Sequence, residues 1–232
     1  MEEIAQNLAA IKARIAAAAR RAGRDPQTVR LVAVSKKVAP ERIARAVAGG
    51  QRLFGESYLQ EAEAKMARVD PEGRLHWHFI GHLQSNKAKA AATHFAMVES
   101  VDRLKLAGRL AHYAAAAGRL LPVLVQVNIA GEARKAGVAP AETRTLLQEL
   151  DKLPALRVMG LMTMPPWAST AEASRGHFRQ LRQLADAMAE AGLLGRHGPV
   201  ELSMGMSGDF EVAVEEGATL VRVGTAIFGA RD

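Results

Sequence analysis

The feature that most constrains the fold is a regular alternation of short apolar segments with amphipathic segments along the chain. Stretches such as "RLVAVS", "LPVLVQVNI" and "LRVMGLMTM" have the apolar and β-branched character of buried strands, and each precedes a segment with helical periodicity. Eight such strand–helix units follow one another within 232 residues. This alternation predicts a parallel sheet, because consecutive parallel strands are joined by crossover helices.

Eight units in this length favour a closed (β/α)8 TIM barrel, which is an α/β fold. Ile4, Leu8, Ile11 and Ile15 recur at helical spacing before the first strand, so one extra N-terminal helix is expected. An open doubly wound sheet is the alternative architecture. No linker rich in proline, glycine or serine interrupts the pattern, so we expect a single domain over residues 1–232.

Composition narrows the classes of function. The chain has no cysteine, which excludes disulfides and cysteine-based metal sites, and it has no apolar run long enough to span a membrane. Its first residues lack the features of a signal peptide, so we expect a cytoplasmic protein. A net charge of +7 raises nucleic-acid binding as a hypothesis, but aromatic residues are only 4% and the basic residues are mixed with acidic ones. We therefore expect no nucleic acid partner, and an anionic small ligand suits the charge equally well.

Lys36 follows the first predicted strand, "RLVAVSKK". Side chains alternate along a strand, so Val32, Val34 and Lys36 share one face. If Val34 faces the barrel interior, Lys36 does too, and partial desolvation there lowers the pKa of its amine. A neutral amine attacks a carbonyl and forms a Schiff base. On alternation alone, a solvent-exposed lysine is an equally good interpretation.

A cluster of small and hydroxyl residues near the C-terminus has the chemistry of an anion site. The loops after the seventh and eighth strands of a barrel form its usual phosphate site, where backbone N–H groups face the ligand. The residues at these two positions are Ser203, Ser207 and Gly208 in "SMGMSGD" and Gly224 and Thr225 in "RVGTA". The simpler alternative is that Ser207 caps the following helix, which leaves the second loop unexplained.

Several polar residues interrupt otherwise apolar strands. Arg222 lies within "TLVRVG", where a buried guanidinium needs a partner, either another barrel side chain or an acceptor atom on a ligand. His76 and His78 share a face of the third strand, but no third metal ligand is evident, so we expect no metal site and interpret them as hydrogen-bonding residues. Ser57, after the second strand, has the character of a helix cap.

A lysine amine, a phosphate cradle and a buried arginine together describe one ligand, which carries an aldehyde, a phosphate and a ring acceptor. Pyridoxal 5′-phosphate (PLP) has all three groups. The sequence also resembles the pyridoxal phosphate homeostasis proteins, which are single-domain relatives of the alanine racemase barrel. The matching segments run in order along nearly the whole chain: "VAVSKK", "FGESYLQE", "WHFIGHLQSNK", "VNIAGEARKAG", "GLMTMPP" and "SMGMSGDFEVAVEEGATLVRVGTAIFGAR".

This resemblance implies a barrel that holds PLP as a Schiff base on Lys36. It further implies phosphate contacts from the Ser203 turn, with Ser207, and from Gly224–Thr225, and it places Arg222 at the pyridine nitrogen. An arginine is always protonated, so that nitrogen stays unprotonated and PLP is a weaker electron sink. The family usually has asparagine where this chain has Ser57, which leaves any side-chain amide contact from that loop unassigned.

The family is regarded as regulating intracellular PLP supply without established catalytic turnover, so no catalytic residue is assigned. Racemases of similar barrel use a second domain and an opposing tyrosine, and we expect neither here. A PLP-dependent amino-acid racemase or lyase is the alternative function. The resemblance implies PLP-dependent apo-enzymes as partners, and a lone barrel is expected to be a monomer.

Overall fold

The computed structural model describes residues 2–132, 135–166 and 169–229. Within these ranges, parallel strands close into one barrel in which each strand pairs with the next in the chain and the last pairs with the first. The strands are β1 Arg30–Val34, β2 Leu53–Glu56, β3 His76–Phe79, β4 Met97–Val101, β5 Leu121–Gln126, β6 Leu156–Met162, β7 Glu201–Ser203 and β8 Leu220–Val223. The predicted closed barrel is confirmed, and the open doubly wound alternative is wrong.

Helices connect successive strands and form the outer layer. They are α1 Glu2–Arg21, α2 Pro40–Ala48, α3 Leu59–Val69, α4 Ala88–His94, α5 Leu104–Ala116, α6 Thr143–Leu150, α7 Arg175–Glu190, α8 Phe210–Glu215 and α9 Thr225–Phe228. The extra N-terminal helix is thus confirmed as α1. It buries Ile4, Leu8, Ile11 and Ile15 and packs against α2, α8 and α9.

The two faces of each strand separate the core into two parts. Leu31 and Ala33 of β1 point outward into the large cluster between sheet and helices, whereas Val32 points into the barrel. The buried apolar side chains that fill the interior are Val32, Met97, Leu124, Met162 and Leu220. Within the described ranges, these side chains fill the interior, as in other barrels of this kind.

Two helix starts differ from the sequence interpretation. α3 begins at Leu59 with Tyr58 in the cap position and no side-chain cap, so Ser57 is not the cap. Asp209, not Ser207, occupies the cap position of α8, and its carboxylate accepts a hydrogen bond from the Met206 N–H. The sequence indicates Ser57 as a cap, and it allows Ser207 as a cap only as the alternative to an anion contact; each helix begins beyond its serine.

Candidate functional site

A cavity of about 370 Å³ opens at the carboxyl ends of the strands. Residues from the ends of β1, β2, β3, β6, β7 and β8 line it, so it lies where the βα-loops of a barrel converge. Of the six residues that the sequence assigned to a ligand, the following line this cavity: Lys36, Ser207, Arg222, Gly224 and Thr225. Segments that are up to 189 residues apart in the chain, from Lys36 to Thr225, thus meet at one place.

Lys36 lies on the cavity wall with Val34 of β1. Val32, two residues earlier on the same face, belongs to the interior cluster, so the alternation along β1 holds through the end of the strand. Lys36 is partly buried, whereas Lys37 is exposed. The structure therefore gives two adjacent lysines opposite surroundings, and only Lys36 faces the cavity.

The β7–α8 turn and the β8–α9 junction form the opposite part of the wall. Ser207 Oγ accepts a hydrogen bond from the Gly224 N–H at 3.4 Å, which ties the two loops together. Within the described part of the chain, the backbone N–H groups of Ser207, Gly208 and Thr225 have no protein acceptor. These N–H groups and the nearby hydroxyl groups make this wall suitable for an anion with several oxygen atoms.

Arg222 extends from β8 inside the barrel and reaches the cavity floor. Its side chain is buried, and it donates hydrogen bonds to Ser203 Oγ at 2.5 Å and to the Thr163 carbonyl at 2.8 Å. Burial lowers the pKa of Arg222 below its ordinary value, while Glu99 and Asp209 act in the opposite direction. Two donors of the guanidinium are thus fixed by protein, and its orientation toward the cavity is set by the barrel itself.

Glu99 is the interior counterion of this arginine. Burial favours the neutral acid, but the hydrogen bond from His78, the charges of His78 and Arg222 and the hydrogen bond from Ser203 together lower the pKa of Glu99. Ser203 Oγ donates to Glu99 Oε2 at 2.5 Å, and His78 Nδ1 lies 2.6 Å from Glu99 Oε1. A hydrogen-bonded chain thus runs from β3 through β4 and β7 to β8.

Sequence reasoning missed Glu99, although a signal was present. "AMVESV" is an apolar strand interrupted by one acidic residue, just as "TLVRVG" is interrupted by one basic residue. Two lone opposite charges in predicted buried strands indicate a pair, because each alone is costly to bury. The expectation that His78 makes hydrogen bonds in the core is confirmed, while His76 is exposed at the other end of β3.

The structure places Ser203 away from the position inferred for it. Its side chain is fully buried between Arg222 and Glu99 and is not part of the cavity wall. Alternation explains this: Leu202 and Met204 point outward, so Ser203 points into the barrel. Its hydroxyl therefore orients Arg222, and the residues of the same turn that line the cavity come later, namely Met206, Ser207 and Gly208.

The remaining polar loops lie outside this wall or contribute to it differently. Ser57 lines the cavity at the end of β2. Asn128, after β5, closes its own loop through two hydrogen bonds between its side-chain amide and the backbone of Glu132. Residues 133–134 of that loop lie outside the described residues, as do residues 230–231 at the end of the last matching segment.

No group of three or more His, Asp or Glu side chains in the described ranges is placed to hold a metal ion.

Comparison with known proteins gives a consistent result. The family described as "Alanine racemase, N-terminal domain" matches residues 6–232. The chain is 48% identical over 232 residues to a pyridoxal phosphate homeostasis protein of Pseudomonas aeruginosa, covering 100% of this chain and 97% of that protein. PipY of Synechococcus elongatus, whose structure was solved with PLP bound, is 40% identical with a TM-score of 0.84, covering 97% of this chain and all of that one.

More distant structures share the fold alone. An alanine racemase of Clostridium difficile is 16% identical with a TM-score of 0.73, and the match covers 99% of this chain but 57% of the racemase. In the described part of the present chain, no helix combines the length and the hydrophobicity that a membrane crossing requires.

Proposed function

The chain belongs to the family of pyridoxal phosphate homeostasis proteins, and from that premise we propose that it binds PLP in the cavity at the carboxyl ends of its strands. The observation that carries the proposal is the meeting of Lys36, the two glycine-bearing loops and Arg222 around one cavity of about 370 Å³. The aldehyde, the phosphate and the pyridine nitrogen of PLP each find a chemically suitable group there. The PLP-bound structure of PipY supports the assignment.

The phosphate end is assigned to the wall formed by the two C-terminal loops. The N–H groups of Ser207, Gly208 and Thr225 lack protein acceptors within the described residues, and a phosphate dianion supplies several. The hydroxyl groups of Ser207 and Thr225 add further donors, and Gly224 joins the two loops through its bond to Ser207. Ser203 supports the site indirectly, through its bond to Arg222.

Lys36 is assigned to the aldehyde end. PLP supplies an electrophilic carbon, and the neutral amine of Lys36 adds to it with loss of water, which leaves a carbon–nitrogen double bond. Hydrolysis reverses the same step, so covalent capture remains compatible with release of the cofactor. Lys37 is exposed and faces away, and it provides a matched control one residue further along the chain.

Arg222 is assigned to the pyridine nitrogen. Its guanidinium stays protonated and has donors beyond the two that Ser203 and Thr163 use. A donor at that position leaves the ring nitrogen unprotonated, which weakens PLP as an electron sink. This favours storage and delivery of PLP, within intracellular PLP homeostasis, over amino-acid turnover.

The alternative, a racemase or lyase, finds less support in the cavity. No tyrosine is among the described residues of the cavity wall, and Tyr58, next to Ser57, is 52% exposed. Racemisation needs an acid and a base on opposite faces of the substrate carbon. We therefore propose that the protein passes PLP to PLP-dependent apo-enzymes, and that it does so in the cytoplasm as a monomer, which sedimentation of the holo-protein would test.

Titration of the purified protein with PLP tests the binding assignment. The wild type should develop a visible absorbance band, Lys36→Ala should not, and Lys37→Ala should match the wild type. A stable band of equal intensity in Lys36→Ala would refute the assignment of Lys36.

A separate measurement tests the absence of turnover. The holo-protein is incubated with single amino acids in deuterium oxide, and α-proton exchange is followed by NMR. We expect exchange no faster than with free PLP. Exchange at rates of about 1 s⁻¹ or more, which are typical of enzymes, would support the racemase or lyase instead.

A further inference from the structure

Lys36 sits in a tight turn whose geometry is unusual for its sequence. The Val38 N–H donates to the Ser35 carbonyl at 3.0 Å, so Lys36 and Lys37 are the two central residues of a β-turn. Lys37 has φ 58° and is the only residue other than glycine with positive φ in the described ranges. A residue with a Cβ atom is disfavoured in this conformation, and turns that need it usually place glycine there. Something outside the turn must therefore hold it.

Two residues of α3, one helical turn apart, hold the peptides on both sides of Lys36. Lys65 Nζ donates to the Ser35 carbonyl at 2.5 Å, immediately before Lys36. Glu61 Oε1 accepts from the Lys37 N–H at 2.5 Å, immediately after Lys36. Lys65 and Glu61 also form a salt bridge with each other, so the two contacts act as one clamp.

The clamp is anchored in a buried polar cluster. Lys65 is only 5% exposed, and its ammonium also contacts Glu56 Oε1 at 2.9 Å. Ser35 Oγ donates to the same Glu56 oxygen at 2.7 Å. Burial raises the pKa of Glu56, although the charge of Lys65 and the hydrogen bonds from Ser35 and Lys65 oppose it. An ammonium buried at this depth is a poor source of stability, because its desolvation offsets much of the attraction. Its three acceptors do fix the position of the turn.

We propose that Glu61 and Lys65 are positioning residues that aim Lys36 into the cavity. This inference rests on the proposed function, because the direction of Lys36 matters only if its amine must meet a carbonyl carbon. The two peptides that flank Lys36 set the direction of its Cα–Cβ bond, and both are bound to the clamp. Without it, Lys37 leaves the left-handed region and the amine loses its approach to the aldehyde.

Three variants of α3 test the proposal. Glu61→Ala removes the acceptor of the Lys37 N–H, Glu61→Gln keeps an acceptor oxygen, and Glu63→Ala is the matched control on the same helix with no contact to the turn. Glu61 is partly exposed, so replacing it should perturb the fold less than replacing the buried Lys65 would. Thermal unfolding of each variant identifies any that do not fold. The rate of appearance of the visible band with PLP is compared with affinity for pyridoxine 5′-phosphate, which lacks the aldehyde.

We expect Glu61→Ala to form the band about tenfold more slowly or worse, because a misplaced reacting group loses a large part of its effective concentration. Its affinity for pyridoxine 5′-phosphate should stay within about twofold, and Glu61→Gln should recover most of the rate. Amide hydrogen exchange of residues 36–38 should be faster in Glu61→Ala before any ligand is added. If Glu61→Ala forms the band as fast as Glu63→Ala does, the positioning role of Glu61 and Lys65 is refuted, but the proposed function is not. The proposed function is refuted by a different result, namely a band that persists in Lys36→Ala.

Discussion

Replacement of Gly205 by alanine should destabilise the turn between β7 and α8, which forms part of the proposed anion-binding wall. Gly205 has φ 90°, and a Cβ atom there would lie 2.5 Å from the Ala213 Cβ and 3.0 Å from the Phe210 Cα. Both neighbours are buried in the core, so neither can move aside cheaply. The left-handed backbone costs about 1–2 kcal/mol and overpacking about 1–3 kcal/mol, which together give about 2–5 kcal/mol.

Equilibrium unfolding of the ligand-free protein in urea measures this loss, with Gly208→Ala as the matched control. Gly208 lies in the same turn without positive φ, and a Cβ there would have no heavy atom within 4 Å. Gly208→Ala should therefore change the free energy of unfolding by less than about 1 kcal/mol. If the two variants were equally stable, the tight packing of this turn on α8 would be refuted.

Three further variants probe the barrel interior, the proposed anion-binding wall and the outer core between sheet and helices. Glu99→Gln should lower the free energy of unfolding by about 3 kcal/mol at pH 7, because it leaves Arg222 without its counterion. The pKa of Glu99 is lowered on folding, so the stability that Glu99 contributes is lost as pH falls. Urea unfolding should therefore show the difference between Glu99→Gln and the wild type shrinking in acid. Ser207→Ala should weaken PLP binding by about tenfold while leaving pyridoxal, which lacks the phosphate, unaffected in the same absorbance titration. Phe79→Ala should lower the free energy of unfolding by about 3–5 kcal/mol, whereas exposed Tyr58→Ala should change it by about 0.5 kcal/mol or less; similar losses for both would contradict the burial seen here.

The barrel could be predicted because it depends on local periodicity, whereas periodicity alone left Lys36 open between solvent and cavity. Alternation along β1 predicts that Lys36 shares a face with Val32 and Val34, and all three follow that rule. In a closed barrel, the loops that follow the carboxyl ends of the strands converge on one face. The sequence therefore predicts that the loops near residues 36, 207 and 224 lie close together.

The polar contacts inside and beneath the barrel could not be predicted in the same way. Ser203 and Glu99 are 104 residues apart, and their pairing depends on how the strands close around the axis. Ser203 was therefore interpreted from its glycine-rich neighbours, although alternation turns it inward to Arg222. Lys65 has an ordinary helical sequence context, and nothing local indicates that it reaches the backbone of another strand end.

The similarity to alanine racemase shows that a shared fold does not by itself imply a shared activity. The barrel is shared at 16% identity, yet the match leaves 43% of the racemase chain outside it, since 57% is covered. Barrels of one architecture support different chemistry through their loops. Arg222 is among the described residues of the present cavity wall and no tyrosine is, which is why we propose that the protein holds PLP rather than turning over amino acids.

The central claim is that Lys36, and not its neighbour or a surface lysine, bonds to PLP. The most direct measurement is reduction of the PLP-loaded protein with borohydride, which makes the bond permanent, followed by digestion and mass spectrometry of the peptides. We expect one molar equivalent of label on Lys36 and none on Lys37. Label on Lys37, or label spread over exposed lysines with Lys36 unmodified, would contradict the account.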